Sequence, residues 1–481
     1  MGQICFQTTP LTDVEQPRLR RLYMTGIEGI AWERDVSFSG DRIIVDRSTH
    51  ESGRLFVPWQ RPDGVEVVLS TTHLREQDAV YQLDVELARG TLNRVRNYLA
   101  NRTLQLTLSR SNQALLSQAH DAFMNAILSG TDLQAVQCSA AESILFSQQL
   151  IKSLMIEDAG HLEEMRYQTG GVKPLFGTCL DAVPESENAR QQLIDSFDTF
   201  TIPFNWQQLS PDTDKFDFTE TDRLIQWAQQ QQKKIIAGPL VRLDDKSIPE
   251  WMYLWESDFT AFQMYLTNYV QQVIQRYRGE VHVWHCGAGL NSTTGLRFSE
   301  EQIVRISVDV IETIRRLDAT TPVVISFDLP WGEYAADRRT DLSPLQFAEA
   351  LVRGDVGING VGLELNFGNG ANDCCVRDLL EINSLLTQWS RLLMPLVLSV
   401  SAPTSPVQPT DDPSCQTLDV EEVVELLQIL VSHSATQGVL WNQLHDAPPR
   451  QSGILTQDGL AKPLLDEIQQ LRQEQNGIGS G

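Results

Sequence analysis

Positive charge is what this sequence is short of. Its 481 residues carry 38 Lys and Arg against 63 Asp and Glu, a formal net charge of −25. Such a field repels phosphate backbones, and the cluster Arg18, Arg20 and Arg21 is too small to reverse it, so no nucleic-acid partner is expected. Long apolar runs are missing too. None approaches the roughly 18 residues that would span a bilayer, which argues against a membrane partner. The opening stretch MGQICFQTTPLTDVEQPRLRR has no basic start followed by an apolar core, so no secretory signal is expected. Phe6 stands where a myristoylation motif wants Ser or Thr. The expected compartment is the cytoplasm, with non-classical export as the alternative. The seven cysteines form no CxxC pair and no metal-type spacing, and an odd number suits reduced thiols. Neither a metal nor another cofactor is expected.

What remains is globular: 41% hydrophobic and 21% charged residues, on a chain long enough for two or three domains. The first part carries strand-like runs, DRIIVDR (41–47), RLFVPW (54–59), VEVVLST (65–71) and YQLDVELA (81–88), with turns at Gly53 and Gly64. They predict a β-rich sandwich or jelly roll over residues 1–110, possibly of the carbohydrate-binding-module kind in role. Helical spacing begins at Gly90. Leu115, Leu116, Ala119, Phe123 and Ile127 share one face, and Ala140, Ile144, Leu145 and Leu150 mark a second helix, giving a helical connector over 111–165. The polar stretch GHLEEMRYQTGG (160–171) reads as a linker.

From 166 to 475 short apolar strands alternate with amphipathic helices. The strands are PLFGTCLD (174–181), FTIPF (200–204), KKIIAGPL (233–240), EVHVWHC (280–286), PVVISFD (322–328), GVGLELN (360–366), PLVLSVS (395–401) and GVLWNQ (438–443). Eight such units in about three hundred residues predict a (β/α)8 TIM barrel. The rival, a doubly wound open sheet, lacks a glycine-rich phosphate loop after its first strand.

Several segments of this region resemble glycoside hydrolase family 10, the retaining endo-xylanase family. FGTCLD is similar to the family's opening strand, and WQQLSPDTDKFDFTETDRLIQWAQ (206–229) to its W-x-x-x-E-P…F-x-F segment. IPEWM, RYRGEVHVW, GVLWNQLHDAPP and LTQDGLAKPLLDEI continue the likeness in the family's order. The resemblance implies a barrel, a xylan-type oligo- or polysaccharide as partner, and two glutamates about 5 Å apart at the ends of strands four and seven. On this register the acid/base position is Gly289 and the nucleophile position Ser399, neither of them acidic. The family's sugar-gripping positions fall on Thr201 to Asn205, on Gly238, Arg242 and Leu243, and on Asn366.

Other polar groups stand at strand C-termini, the face where barrel sites are built. Glu364 and Asp328 are candidates for a relocated acid/base pair; the bland alternative is that they bond within the barrel mouth. Asn205, Trp206, Arg242, Trp331, Asn366, Trp441 and Asn442 are candidate saccharide contacts, Trp441 and Trp331 through ring stacking. His285 and Cys286 point to opposite faces of one strand and cannot share a metal. The Pro- and Asp-rich stretch 402–419 is either a lid or a plain excursion. The expected function is thus a family 10-like protein that has lost or diverged from hydrolysis and binds saccharide or serves as a scaffold. The alternatives are an active xylan-type hydrolase using relocated carboxylates, and an assembly protein. Protein partners are unknown from sequence.

Overall fold

The computed structural model describes the chain apart from residues 1, 13–14, 103–106, 214, 294, 338–339, 341, 369–372, 405–416, 448–450 and 479–481. It divides into two compact units. Unit 1 comprises Met1–His161 together with two segments from later in the chain, Trp331–Thr340 and Cys375–Ser384. Unit 2 holds the remainder.

Among its described residues unit 1 contains eight strands: β1 (Gly2–Gln7), β2 (Tyr23–Thr25), β3 (Ala31–Trp32), β4 (Arg34–Ser39), β5 (Arg42–Arg47), β6 (Gly53–Gln60), β7 (Glu66–Leu74) and β8 (Tyr81–Gln82). They form two four-stranded sheets, ordered β4-β5-β1-β8 and β3-β2-β6-β7. Alternating residues of both enter one core: Ile4, Phe6, Ile43 and Val45 from the first, Met24, Leu55, Val57, Val67 and Leu69 from the second. The expected β-rich start is therefore present, as two sheets around a shared core.

Two local expectations are corrected. YQLDVELA (81–88) is a strand only at Tyr81–Gln82; from Leu83 the chain is a helix to Asn101. Leu83, Leu87, Thr91 and Val95 follow one another at four-residue steps and are all buried, so the 3.6-residue period wins over the short alternation. Gly90 sits inside this helix because a Cβ there would lie 1.9 Å from the Ser70 carbonyl oxygen on β7. The stretch 160–171 is likewise no linker. It is the end of a helix running Leu133–Gln168, closed by Gly170 at φ +67°. Glu, Met, Leu, Arg and Gln are strong helix formers, so polarity alone was a poor guide.

The two late segments belong to unit 1 by specific bonds. The Val68 amide on β7 donates to the Val376 carbonyl at 2.8 Å. Arg94 on helix 83–101 bonds Asp378 and, at 3.0 Å, Glu381. Arg377, its side chain fully buried, donates to the Tyr23 hydroxyl at 2.7 Å and lies 4.4 Å from the Trp331 ring centroid.

Unit 2 is a closed barrel of parallel strands in the order β10-β11-β12-β13-β14-β15-β16-β9. They are β9 (Leu175–Cys179), β10 (Thr199–Ile202), β11 (Lys234–Ala237), β12 (Val283–Gly287), β13 (Val323–Asp328), β14 (Gly360–Asn366), β15 (Leu396–Ser401) and β16 (Thr436–Trp441). Each falls where the sequence places it, within three residues at the ends, and the (β/α)8 expectation stands. Strands covered on both faces read as continuous apolar runs, as VVISFD and GVGLELN do. The acidic residues of these runs, Asp328 and Glu364, come towards the C-terminal ends, which places them at the mouth.

Candidate functional site

The mouth is organised around one guanidinium. Arg242 follows β11 on a stretch held against β12: the Leu240 amide donates to the His285 carbonyl at 2.9 Å, and the Ala288 amide to the Val241 carbonyl at 3.0 Å. Thus fixed, Arg242 Nη1 donates to Asp328 Oδ2 at 3.1 Å, and its Nη2 lies 4.0 Å from Glu364 Oε2. Asp328 and Glu364 are register partners on the neighbouring strands β13 and β14, and they are 4% and 3% exposed.

Amides complete the arrangement. Asn442 Nδ2 donates to Glu364 Oε2 at 3.3 Å and to Asn366 Oδ1 at 3.1 Å, while Asn366 Nδ2 is 3.5 Å from the same glutamate oxygen. Ser401 donates to Asn366 Oδ1 at 2.8 Å. Asn291 brackets the backbone of Asp328, its Nδ2 donating to the carbonyl at 2.8 Å and its Oδ1 accepting from the amide at 3.1 Å. Sequence reasoning did not single out Asn291; only its position two residues beyond Gly289 hinted at it.

Charge follows burial. Desolvation pushes the Asp328 carboxyl above its ordinary range, opposed by Arg242 and reinforced by the Glu364 charge. Desolvation works against the Arg242 charge as well, yet the two carboxylates carry its pKa upward. His285 is lowered to about 4, first by burial and then by the Arg242 cation, so it is neutral at pH 7. Burial likewise raises the Cys179 thiol, which is therefore no thiolate nucleophile at neutral pH.

Gly289 and Ser399 both reach this mouth. Gly289 lies just past β12 at φ +65°, and a Cβ built on it would stand 2.8 Å from Asp328 Oδ2 and 3.1 Å from Arg242 Nη1. The ion pair occupies the space that any side chain at 289 would need. Ser399, on β15, lines a cavity of ≈ 30 Å³ together with Thr201, Arg242, His285, Glu364 and Trp441. One water needs roughly 10–15 Å³, whereas small-molecule pockets run to roughly 300–1,000 Å³. This cavity is of water size.

The candidate contacts separate into two groups. Arg242, Asn366 and Asn442 come together around Glu364, as above. The tryptophans do not offer stacking faces there. Trp441 is 2% exposed and donates to the Ser452 carbonyl at 2.9 Å. Trp206 is packed flat on Tyr269 with centroids 5.1 Å apart, and Trp284 is fully buried with its Nε1 donating to Asp318 at 2.9 Å. Trp331 belongs to unit 1, covered by Arg377. Asn205 caps a short helix at Trp206–Leu209, accepting from the Gln208 amide at 3.2 Å and donating to the Lys246 carbonyl at 3.0 Å. Residues 405–416 of the expected lid lie outside the described residues. Among the described residues there is no cluster of three His, Cys, Asp or Glu side chains able to hold a metal, and no helix long and apolar enough to cross a membrane.

Residues 165–287 match the family model of glycosyl hydrolase family 10, from the end of helix 133–168 through the whole of β12. The barrel is glycosyl hydrolase family 10-like. Solved structures similar to it include xylanase 10B from Thermotoga maritima, at 12% identity over 63% of this chain and 97% of that one, TM-score 0.49. Xylanase 10B from Thermotoga petrophila RKU-1, solved with xylobiose, is 13% identical over 63% and 94%, TM-score 0.47. A family 10 structure from Paenibacillus barcinonensis is 17% identical over 62% and 95%, TM-score 0.45. The matched segment of the family 10-like barrel ends at Gly287, two residues short of Gly289.

Proposed function

We propose that this chain is a non-hydrolytic member of the family 10-like barrels, in which an ion network closes the mouth and the barrel serves as a scaffold. The observation that carries the reading is the Arg242–Asp328 pair lying 2.8–3.1 Å from any Cβ at position 289. Retaining hydrolysis needs one carboxyl to protonate the leaving oxygen and a second, about 5 Å away, to attack the opposite face of the sugar. Gly289 and Ser399 supply neither, and a neutral hydroxyl does not stabilise an oxocarbenium-like transition state electrostatically. The alternative pair, Asp328 and Glu364, sits on adjacent strands and shares one guanidinium. Both are buried, at 4% and 3% exposure, and face the same cation rather than a solvent-open cleft. Among the described residues, a water-sized cavity beside Glu364 and inward-packed tryptophans count against saccharide binding there as well.

The test is an assay on xylan, aryl-xylosides and aryl-cellobiosides, with melting curves in xylo- and cello-oligosaccharides. The expected result is no sugar release above buffer and no shift in melting temperature. Hydrolysis that disappears in Glu364→Gln would overturn the proposal in favour of a relocated catalytic pair. A ligand-induced shift without hydrolysis would replace the scaffold reading by saccharide binding.

A further inference from the structure

The Arg242 guanidinium treats its two carboxylates unequally. It donates to Asp328 Oδ2 at 3.1 Å but stops 4.0 Å from Glu364 Oε2, beyond the length of a direct hydrogen bond. A gap of that length between buried polar groups is the span of a bridging water. The cavity of ≈ 30 Å³ lies against both Arg242 and Glu364, and Asp328 does not line it.

Two further atoms lack a partner. Thr201 Oγ1 and His285 Nε2 belong to residues that line the same cavity, and both are buried with no hydrogen-bond partner among the described residues. The His285 ring is bonded to the Gly287 backbone in the sense that favours its protonated form, so it donates there. With Nε2 unpartnered, that donor is Nδ1, and Nε2 of the neutral ring is left as a buried lone pair. A buried acceptor without a donor is costly.

We propose that this cavity is a binding site for one tightly held water, which carries the Arg242–Glu364 link and supplies the missing bonds of Thr201 and His285. Valence fits. The water donates to Glu364 and to His285 Nε2, and accepts from Arg242 and from the Thr201 hydroxyl. Size fits as well, because one water takes up about 30 Å³ in the liquid and is retained in a cavity by about two to four polar partners. Charge excludes other small occupants: an anion would face the Glu364 carboxylate, 3% exposed, and a cation would face Arg242. A neutral molecule that both donates and accepts is what remains. The water rests on the same ion network as the scaffold reading, yet the two fail separately. Sugar release from xylan sinks that reading without touching the water, and a cavity without water leaves that reading intact.

A crystal structure of the full chain at about 1.5 Å reads the site directly. The expected result is a density peak within about 3.2 Å of Thr201 Oγ1, His285 Nε2, Glu364 and Arg242. Heteronuclear NMR of the histidine rings at neutral pH should show His285 protonated on Nδ1. Ser399 lines the cavity, so Ser399→Val, which puts methyl groups where the hydroxyl was, should remove the peak. The same variant should lose a long-lived water in water-oxygen relaxation dispersion. Circular dichroism checks that it is folded, and the wild-type density decides the matter if it is not. An absent peak with Arg242 bonded directly to Glu364, or a peak that bromide or rubidium replaces in anomalous scattering, would overturn the proposal. So would a His285 proton on Nε2, or a folded Ser399→Val with an unchanged water count.

Discussion

Replacing Arg242 by Met should convert the barrel mouth from its best-compensated charge cluster into its worst. The side chain keeps a similar reach, but Asp328 and Glu364, 4% and 3% exposed, lose their cation. Removing one partner of a buried pair typically costs ~3–5 kcal/mol, because a charge is left behind in a poor solvent. Arg242 itself is partly exposed, so water can reach the gap, and the lower end, about 3 kcal/mol, is the better figure. At ~2–4 °C per kcal/mol for a domain of this size, that is a fall of roughly 6–12 °C in melting temperature. The loss should depend on pH in a definite direction. The Asp328 pKa is already raised by burial, and without Arg242 it rises further, so its charged form is a liability at high pH that protonation relieves. The deficit of Arg242→Met against wild type should therefore be largest at pH 8 and shrink towards pH 5. Adding Asp328→Asn or Glu364→Gln should restore more than half of it. Urea titrations of the four proteins at the two pH values decide the matter. A deficit under about 1 kcal/mol at pH 8, or one that acid does not reduce, would refute the view that Arg242 holds two buried charges.

Gly289→Glu should lose roughly 2–3 kcal/mol in denaturant titrations, from a left-handed backbone and a Cβ 2.8 Å from Asp328 Oδ2, and the double variant with Ser399→Glu should release no sugar from xylan. His285 and His433 are both lowered to about 4 by burial, so each gives stability that is complete above pH 6.5 and lost as pH falls towards 4. Each is worth up to about 3 kcal/mol across that window; Asp328 and Asp84, raised by burial, act in the opposite sense, and His433→Asn should flatten the measured slope of stability against pH. Trp284→Phe leaves Asp318 without the indole donor, one of the hydrogen bonds that hold its carboxyl down to about 2 against desolvation, and should cost about 2 kcal/mol in the same titration.

The eight barrel strands were legible because each is a short apolar run bounded by a turn and followed by an amphipathic helix, a pattern that depends on local sequence. The first unit was less so. β2, β3 and β4 are short or carry charges, as in RDVSFS, and they become strands by pairing with β6, β2 and β5 respectively rather than by their own pattern. At the mouth, the sequence named Arg242, Asp328, Glu364, Asn366 and Asn442 because all fall at strand ends. It could not show that one guanidinium gathers them, since 122 positions separate Arg242 from Glu364 in the numbering and the bond exists only when the barrel closes. Trp441 and Trp206 misled for a related reason: a tryptophan at or just beyond a strand end has the same letter whether its ring turns outward to a ligand or inward, as Trp441 does to the Ser452 carbonyl and Trp206 to Tyr269.

Unit 1 draws two of its pieces from within the barrel's stretch of chain, and this has a consequence for synthesis. Arg377, Asp378 and Glu381, which hold Tyr23 and Arg94, leave the ribosome long after the two sheets do. At ~5–20 residues per second, the N-terminal unit waits tens of seconds with Tyr23 and Arg94 lacking their partners. A gene cut after His161 would make that wait permanent. The two units are consecutive on paper, but neither can be transplanted, truncated or exchanged as a cassette without taking part of the other with it.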